Sequence, residues 1–186
     1  MDEGIGFDRG ANVLGALALA VSDRMSDAVA AAAGQSQTAA ATLSALHHFL
    51  DAPSVDRLRQ VLGLTSSGTV RLLDRLEAAG YVTRGAGRDG RSTAVTLTVA
   101  GREAAERVAR ARAQLLSDTL SSLSDEEHAT FEALVSKVLV GMMREPGAVR
   151  WICRLCDTGL CRGAPGSCPF AAAARRRYGV ELRNGG

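Results

Sequence analysis

The sequence predicts a mainly α-helical fold with one small β-hairpin, because the spacing of its apolar residues changes once from a helical to a strand-like period. Residues 65–79 place their leucines on one side of a helix. Residues 81–84 and 94–98 then alternate as strands on either side of a basic, glycine-rich tip. A shorter helix and a glycine turn precede residue 65. The order helix, turn, helix, hairpin indicates a winged helix-turn-helix.

The two helices of this unit carry residues that typically begin and end helices. Ser54 caps the first helix and Gly63 ends it, because glycine accepts the left-handed conformation of a tight corner. Thr65 caps the second helix and Gly80 stops it. Its predicted inner face comprises Leu72, Leu73, Leu76 and, at the margin, Val70. The opposite face is left available for contact with another molecule.

Arginine is concentrated on that outer face and on the hairpin. The arginines concerned are Arg71, Arg75, Arg84, Arg88 and Arg91. A winged helix that binds only protein has no reason to carry them all, whereas arginine suits both phosphate and guanine. We expect Ser66, Ser67 and Arg71 to lie near base edges of double-stranded DNA, and Arg75 to meet phosphate. The predicted DNA-contacting residues are Ser66, Ser67, Arg71, Arg75, Arg84, Arg88, Asp89 and Arg91.

Two segments of this unit resemble the MarR family of winged-helix transcriptional regulators. They are the run LDRLEAAGYVTR at residues 73–84, and Asp89-Gly90-Arg91 followed by Val95-Thr96-Leu97-Thr98. The second segment matches the family's D-x-R wing and the L-T that opens its next helix. The resemblance covers residues 12–143. It implies that Asp89 holds Arg91, which would reach the minor groove, and that terminal helices pair in a homodimer.

Long amphipathic helices are predicted on both sides of the winged unit. The first, residues 12–33, carries the apolar stripe Leu14, Leu17, Val21, Met25 and Val29. The second region, residues 100–143, contains a capping box at Ser124 and Glu127. Its stripe is Phe131, Leu134, Val135, Val138, Leu139 and Met142. One small domain offers these stripes limited partner surface, so we expect a homodimer that reads an inverted-repeat operator.

The sequence contains no recognisable catalytic motif, and we do not expect an enzyme. It has no G-x-S-x-G, H-E-x-x-H or Walker pattern. The apolar run at residues 13–21 lacks the positive flank of a signal peptide and is too short to cross a membrane, so we expect a cytoplasmic protein. Aromatic residues make up 4%, which disfavours base stacking on single strands.

A small-molecule effector is a further possibility raised by the resemblance. His47 and His48 lie on a helix predicted at residues 39–50, near which members of the family often bind small molecules. The more common alternative is a packed or half-exposed structural histidine.

All four cysteines fall in the tail that follows the winged unit. They are Cys153, Cys156, Cys161 and Cys168, and Pro169 follows the last of them. Their clustering within sixteen residues indicates one shared function. A tetrahedral Zn2+ site is slightly favoured, and a 4Fe-4S cluster fits the Cys-Pro ending. Two disulfides, or a reactive thiol pair formed by Cys153 and Cys156, are the third alternative.

These observations predict a winged-helix domain at residues 12–143, with its DNA-reading unit at 54–98 and dimerisation helices at 12–33 and 100–143. The cysteine tail follows at 148–178, and we expect residues 1–11 and 179–186 to be disordered. The predicted function is a homodimeric, sequence-specific transcriptional regulator that responds to metal or redox state through the tail. The alternative is a protein-interaction module with a purely structural zinc site.

Overall fold

The computed structural model describes residues 8–87, 92–143, 152–157 and 168–179. The helices are α1 (Arg9–Ala33), α2 (Gln37–His48), α3 (Val55–Leu62), α4 (Ser66–Ala78), α5 (Val99–Leu120), α6 (Asp125–Gly141) and α7 (Pro169–Tyr178). The strands β1 (Val82–Ala86) and β2 (Thr93–Leu97) form an antiparallel hairpin in which Val82 pairs with Leu97. The predicted winged helix-turn-helix, with long helices on either side, is confirmed.

The predicted helix boundaries of the winged unit arise from local capping. The side chains of Ser54 and Thr65 accept hydrogen bonds from backbone amides in the first turns of α3 and α4. Gly63 adopts a left-handed conformation, with φ of 64°, at the corner between these helices. Ser124 and Glu127 form the predicted capping box of α6. These predictions are confirmed because each depends only on residues a few positions apart.

Two terminal boundaries differ from the sequence prediction. Helix α1 begins at Arg9, because Asp8 caps it, so residues 9–11 are helical rather than disordered. Residues 1–7 and 180–186 lie outside the described residues. Helix α2 begins at Gln37, two residues before the predicted start, because Ser36 caps it, and it ends at His48, two residues before the predicted end.

Helix α2 lies at the centre of the fold. Every residue from 39 to 46 is buried, and the helix packs against α1, α3, α5 and β2. The buried apolar residues of α1 to α5 and the hairpin form one cluster, which we call the main core. Its largest members include Val29, Leu43, Leu58, Leu73 and Val95. The DNA-reading unit therefore shares a continuous core with the flanking helices, so its orientation is set by them.

Two backbone junctions connect the hairpin to the helices. The amide of Val95 in β2 donates to the carbonyl of Pro53 at 3.0 Å, just before α3 begins. At the other end of the hairpin, a Cβ on Gly101 would lie 1.9 Å from the carbonyl oxygen of Tyr81, so no side chain fits there. The glycine lets α5 approach the backbone between α4 and β1. The hairpin is thus attached to both α3 and α5.

Much apolar surface on the outer helices is left exposed. Every residue from 11 to 20 of α1 is exposed, and no residue of α6 between 125 and 141 is buried. The exposed large side chains of these helices are Val13, Leu14, Leu17, Leu19, Leu134, Val138 and Met142. Only the second half of α1, including Val29, packs into the main core. The predicted stripe on α1 is therefore divided between the chain's own core and an open surface.

The tail forms a second, smaller cluster at the end of α6, which we call the tail core. Met143 and Ala173 are buried there, packed against Leu139, Val140, Ile152, Cys153, Cys168 and Tyr178. Arg177 on α7 donates a hydrogen bond to the carbonyl of Met143 at 3.2 Å. Helix α7 is therefore docked on α6, and this contact was not predicted from the sequence.

Candidate nucleic-acid interface and cysteine tail

The outer face of α4 presents polar and basic side chains to solvent. Ser66, Ser67, Arg71 and Arg75 are all exposed, as expected for residues that contact DNA. Val70 is 45% exposed, so its predicted place at the margin of the inner face is wrong. Thr69 occupies that inner position instead.

The threonine can be buried because its hydroxyl has a partner within the helix. The Oγ1 atom of Thr69 donates to the carbonyl of Thr65 at 3.0 Å, and the side chain is fully buried. This bond satisfies the hydroxyl away from water. Val70 consequently adds an apolar side chain to the exposed face of α4.

Arg84 on β1 is positioned by two carboxylates of α4. Its guanidinium pairs with Asp74 through Nη2 and with Glu77 through Nε, the latter at 3.4 Å. Its backbone amide also donates to Glu77 at 3.2 Å. The arginine therefore neutralises acidic charge beside the exposed face of α4 and fixes the hairpin against this helix. This ion-pair network was not predicted from the sequence.

The predicted wing-tip contacts Arg88, Asp89 and Arg91 lie outside the described residues. The structure does describe the base of the tip, where the amide of Gly87 donates to the carbonyl of Ser92 at 2.7 Å. The cross-strand hydroxyls of Thr83 and Thr96 are 2.9 Å apart. The two strands are therefore hydrogen-bonded to each other as far as Gly87 and Ser92.

The tail brings together three of the four cysteines. Cys153 and Cys156 lie in one turn, in which the amide of Cys156 donates to the carbonyl of Cys153 at 2.9 Å. Cys168 directly precedes α7, and the Cys153 thiol is in hydrogen-bond contact with both other thiols. Cys161 lies outside the described residues. Within the described ranges, no group of three or more histidine, cysteine or acidic side chains has an arrangement that could hold a metal ion.

The thiols of the turn differ in acidity. The hydrogen bond from Cys153 lowers the pKa of Cys156 to about 7, and the nearby Arg112 and Arg154 act in the same direction. The same hydrogen bonds, together with burial, raise the pKa of Cys153. Positive charge beside the thiols is thus supplied by Arg154 and by Arg112 of α5.

The turn also contacts the body of the protein. Leu155 is half-buried against the main core. Nδ1 of His48 lies 3.6 Å from a carboxylate oxygen of Asp157, and burial lowers the pKa of this histidine. His48, considered above as a possible effector ligand, therefore faces the tail. No sequence pattern pointed to this contact, because more than a hundred positions separate the two residues.

A cleft of about 260 Å³ lies between the end of α2, β2 and the start of α5. It is lined by Leu46, His47, Leu50, Asp51, Ala52, Val95, Thr96, Leu97 and Arg102. Its volume lies below the range of about 300–1,000 Å³ that is typical of small-molecule sites. The predicted effector is not tested by this geometry and stays a prediction.

No helix within the described part of the chain is long and apolar enough to cross a membrane.

Comparison with known sequences gives a match over the winged unit. A profile of the MarR family matches residues 34–92, from the end of α1 into the hairpin. A protein of Bacillus subtilis (strain 168), described as the uncharacterized HTH-type transcriptional regulator YwhA, is 36% identical over 84 residues. The aligned region is 45% of this chain and 60% of that relative, so the chain spans three-fifths of the length of the curated relative that it matches.

Comparison with solved structures extends the likeness to the flanking helices. MepR, a transcription regulator of the Staphylococcus aureus multidrug efflux pump MepA, is 19% identical with a TM-score of 0.63 and shares the fold. The likeness covers 74% of this chain and all of that one. The reduced form of MarR from E. coli is 27% identical with a TM-score of 0.56, over 68% of this chain and 96% of that one.

A second MepR structure shows a mutant of that protein bound to an oligodeoxyribonucleotide; it is 18% identical to this chain, with a TM-score of 0.55. The match over residues 34–92, the curated relative and the shared architecture show that this chain is similar to the MarR family of winged helix-turn-helix proteins.

Proposed function

We propose that the protein is a homodimeric, sequence-specific DNA-binding transcriptional regulator whose four-cysteine tail binds a metal ion and adjusts DNA affinity. The observation that carries the DNA-binding part is the exposed face of α4, where polar, apolar and basic side chains stand clear of the main core. A recognition helix needs such a face, because base edges are read by hydrogen bonds and by apolar contact with thymine methyl groups. The MepR structure with an oligodeoxyribonucleotide supports the same use of this fold.

Within this proposal, residues of α4 have distinct roles. Ser66, Ser67 and Arg71 lie in the first half of the helix, which enters the major groove in helix-turn-helix complexes. Val70, exposed on the same side, suits contact with a thymine methyl group. Arg75, one turn further on, meets the phosphate backbone. We assign Arg84 the role of positioning the hairpin against α4. Its charge also reduces the repulsion that the carboxylates of Asp74 and Glu77 would exert on phosphate.

The decisive test is selection of binding sites from random duplex DNA by the purified full-length chain. We expect enrichment of an inverted repeat whose half-sites lie one helical turn, about 34 Å, apart. Binding should weaken steeply as salt rises, because phosphate contacts release counterions. Failure to enrich any sequence, with binding instead to a protein partner, would favour the interaction-module alternative.

The homodimer is supported by the surface that one chain leaves exposed. The first half of α1 and most of α6 present large aliphatic side chains that no other described part of the chain covers. Fully burying one leucine or valine contributes about 1.5–3 kcal/mol, so a second copy could gain substantially by covering these faces. Twofold pairing would also place two α4 helices on one DNA duplex, as an inverted repeat requires.

The metal site is supported by the convergence of thiols at the tail. The Cys153 thiol contacts those of Cys156 and Cys168, although the three do not yet form a metal-binding arrangement, and Cys161 would supply the fourth ligand. The positive charges of Arg112 and Arg154 favour thiolate at this site, which is the form that binds metal. Four thiolates suit Zn2+ or a 4Fe-4S cluster, with zinc slightly favoured. When bound, the group would hold the four sulfurs in one fixed geometry.

We expect Cys161→Ser to remove the metal or cluster and to change operator affinity about tenfold, equivalent to about 1.4 kcal/mol. Linkage then requires operator DNA to change metal affinity by the same factor. Elemental analysis and the absorption spectrum of anaerobically purified protein would give the metal content and distinguish a brown iron-sulfur cluster from colourless zinc. Fluorescence anisotropy at constant salt would give DNA affinity. A variant that loses its metal yet binds the operator like the parent would make the tail purely structural.

A further inference from the structure

The turn at residues 152–157, which we call the joint, contacts both hydrophobic clusters of the molecule. Ile152 and Cys153 pack in the tail core with the end of α6. Leu155, two residues further on, packs against the main core. One short turn thus lies between two clusters that are otherwise built from different helices.

Polar contacts hold the second half of the joint on the body. Asp157 lies 3.6 Å from Nδ1 of His48 at the end of α2. Arg112 of α5 is close enough to Cys156 to interact with its thiol. The joint is therefore attached to the two helices, α2 and α5, that pack against β2 of the hairpin.

The end of α2, where the joint contacts His48, lies close to the DNA-reading unit. The chain passes from His48 through the buried Leu50 to Pro53, whose carbonyl accepts a hydrogen bond from Val95 of β2. The next residue, Ser54, caps α3 and pairs with Ala94 of the hairpin. A displacement at the end of α2 would therefore move both the start of the helix-turn-helix and the wing.

We propose that the joint transmits the state of the cysteine site to the DNA-reading unit, through Leu155 and Asp157 on one side and the tail core on the other. The proposal rests on the metal-responsive function proposed above. Cys153 and Cys156 belong to the joint itself, while Cys168 begins the docked helix α7. Drawing these sulfurs together would tie the end of α6 to the end of α2, and releasing them would uncouple the two.

A variant of Leu155 tests this linkage without altering any cysteine. In the full-length chain, Leu155→Ala should accelerate hydrogen exchange about tenfold at residues 136–143 of α6 and in α7, although Leu155 is not a member of the tail core. The factor corresponds to loss of the burial of about half of a leucine side chain. Leu64→Ala is the matched control, because Leu64 is also half-buried against the main core but lies far from the tail in the chain. It should leave α6 and α7 unchanged.

Removal of Zn2+ provides the second measurement. In the parent, chelation should accelerate exchange at residues 45–54 and in the hairpin at least about threefold. In Leu155→Ala, the zinc content should remain that of the parent, while this response at residues 45–54 disappears. Mass spectrometry of exchanged peptides and elemental analysis give both quantities.

The outcomes separate the joint from the proposed regulation. If Leu155→Ala accelerates hydrogen exchange only in α2 and α5 and leaves α6 and α7 unaffected, the proposed role of the joint is wrong, whether or not metal is bound. A parent whose residues 45–54 do not respond to loss of bound zinc would overturn it as well. A parent that responds there, yet binds operator equally with and without zinc, would keep the joint and remove the metal-responsive function. If the protein binds no zinc, the proposed metal site is wrong. Hydrogen exchange in α6 and α7 of Leu155→Ala then decides alone whether the joint links the two clusters.

Discussion

Replacing Leu17 by aspartate is expected to abolish the dimer and, with it, operator binding. Leu17 is 39% exposed in one chain and lies among exposed apolar side chains on the first half of α1. In the proposed dimer, each chain would bury one unpartnered carboxylate at the interface, which costs several kcal/mol per charge unless it is neutralised. Because operator binding requires both recognition helices, affinity should fall about a hundredfold or more.

Leu19→Asp is the matched control for this experiment. Leu19 is 68% exposed, and two residues along a helix place it about 200° around the axis from Leu17, away from the stripe of Leu14 and Val21. The control should remain dimeric and bind DNA like the parent. Light scattering at micromolar concentration and fluorescence anisotropy with the selected operator would measure the two properties. A Leu17→Asp protein that stays dimeric and binds normally would remove α1 from the interface.

Replacing Arg71 by alanine is expected to reduce both the affinity and the selectivity of DNA binding. Arg71 lies on the exposed face of α4, and a bidentate contact from arginine to guanine contributes about 1–3 kcal/mol of discrimination. The variant should therefore lose about tenfold to a hundredfold in affinity for the preferred site but little for random duplex. Competition binding with single-base variants of the operator would locate the position whose preference is relaxed.

Arg75→Ala serves as the comparison, since it removes the same charge one turn away on the same helix. As a phosphate contact, Arg75 should contribute equally to every sequence, so its loss should weaken specific and random binding alike. The slope of log affinity against log salt should fall by about 0.9 for this one contact. Equal losses on specific and random DNA in both variants would refute the assignment of Arg71 to base reading.

Local signals in the sequence were sufficient for the winged unit. Ser54 and Thr65 cap their helices, and Gly63 forms the corner between them. These features could be predicted because each involves only residues within one helical turn. The change of apolar period placed both strands of the hairpin to within two residues of β1 and β2. The exposure of Arg71 and Arg75 followed from helical geometry alone.

Side-chain hydrogen bonding and packing between separate elements decided the rest. Thr69 rather than Val70 was buried because an intrahelical hydrogen bond satisfied its hydroxyl, which a simple apolar pattern does not register. Arg84 was predicted to contact DNA, a role that stays a prediction, but the fold also places it between two carboxylates of α4.

The cysteine tail was likewise predicted only in part from the sequence. Its four cysteines and their spacing were evident from the sequence, and they predicted one shared site. Where that site sits was decided by the fold, which brings Asp157 to His48 and seats Leu155 on the main core. Periodicity and capping report interactions between near neighbours along the chain, whereas these contacts join segments about a hundred residues apart. Such contacts depend on how the helices pack together, and only the tertiary structure specifies them.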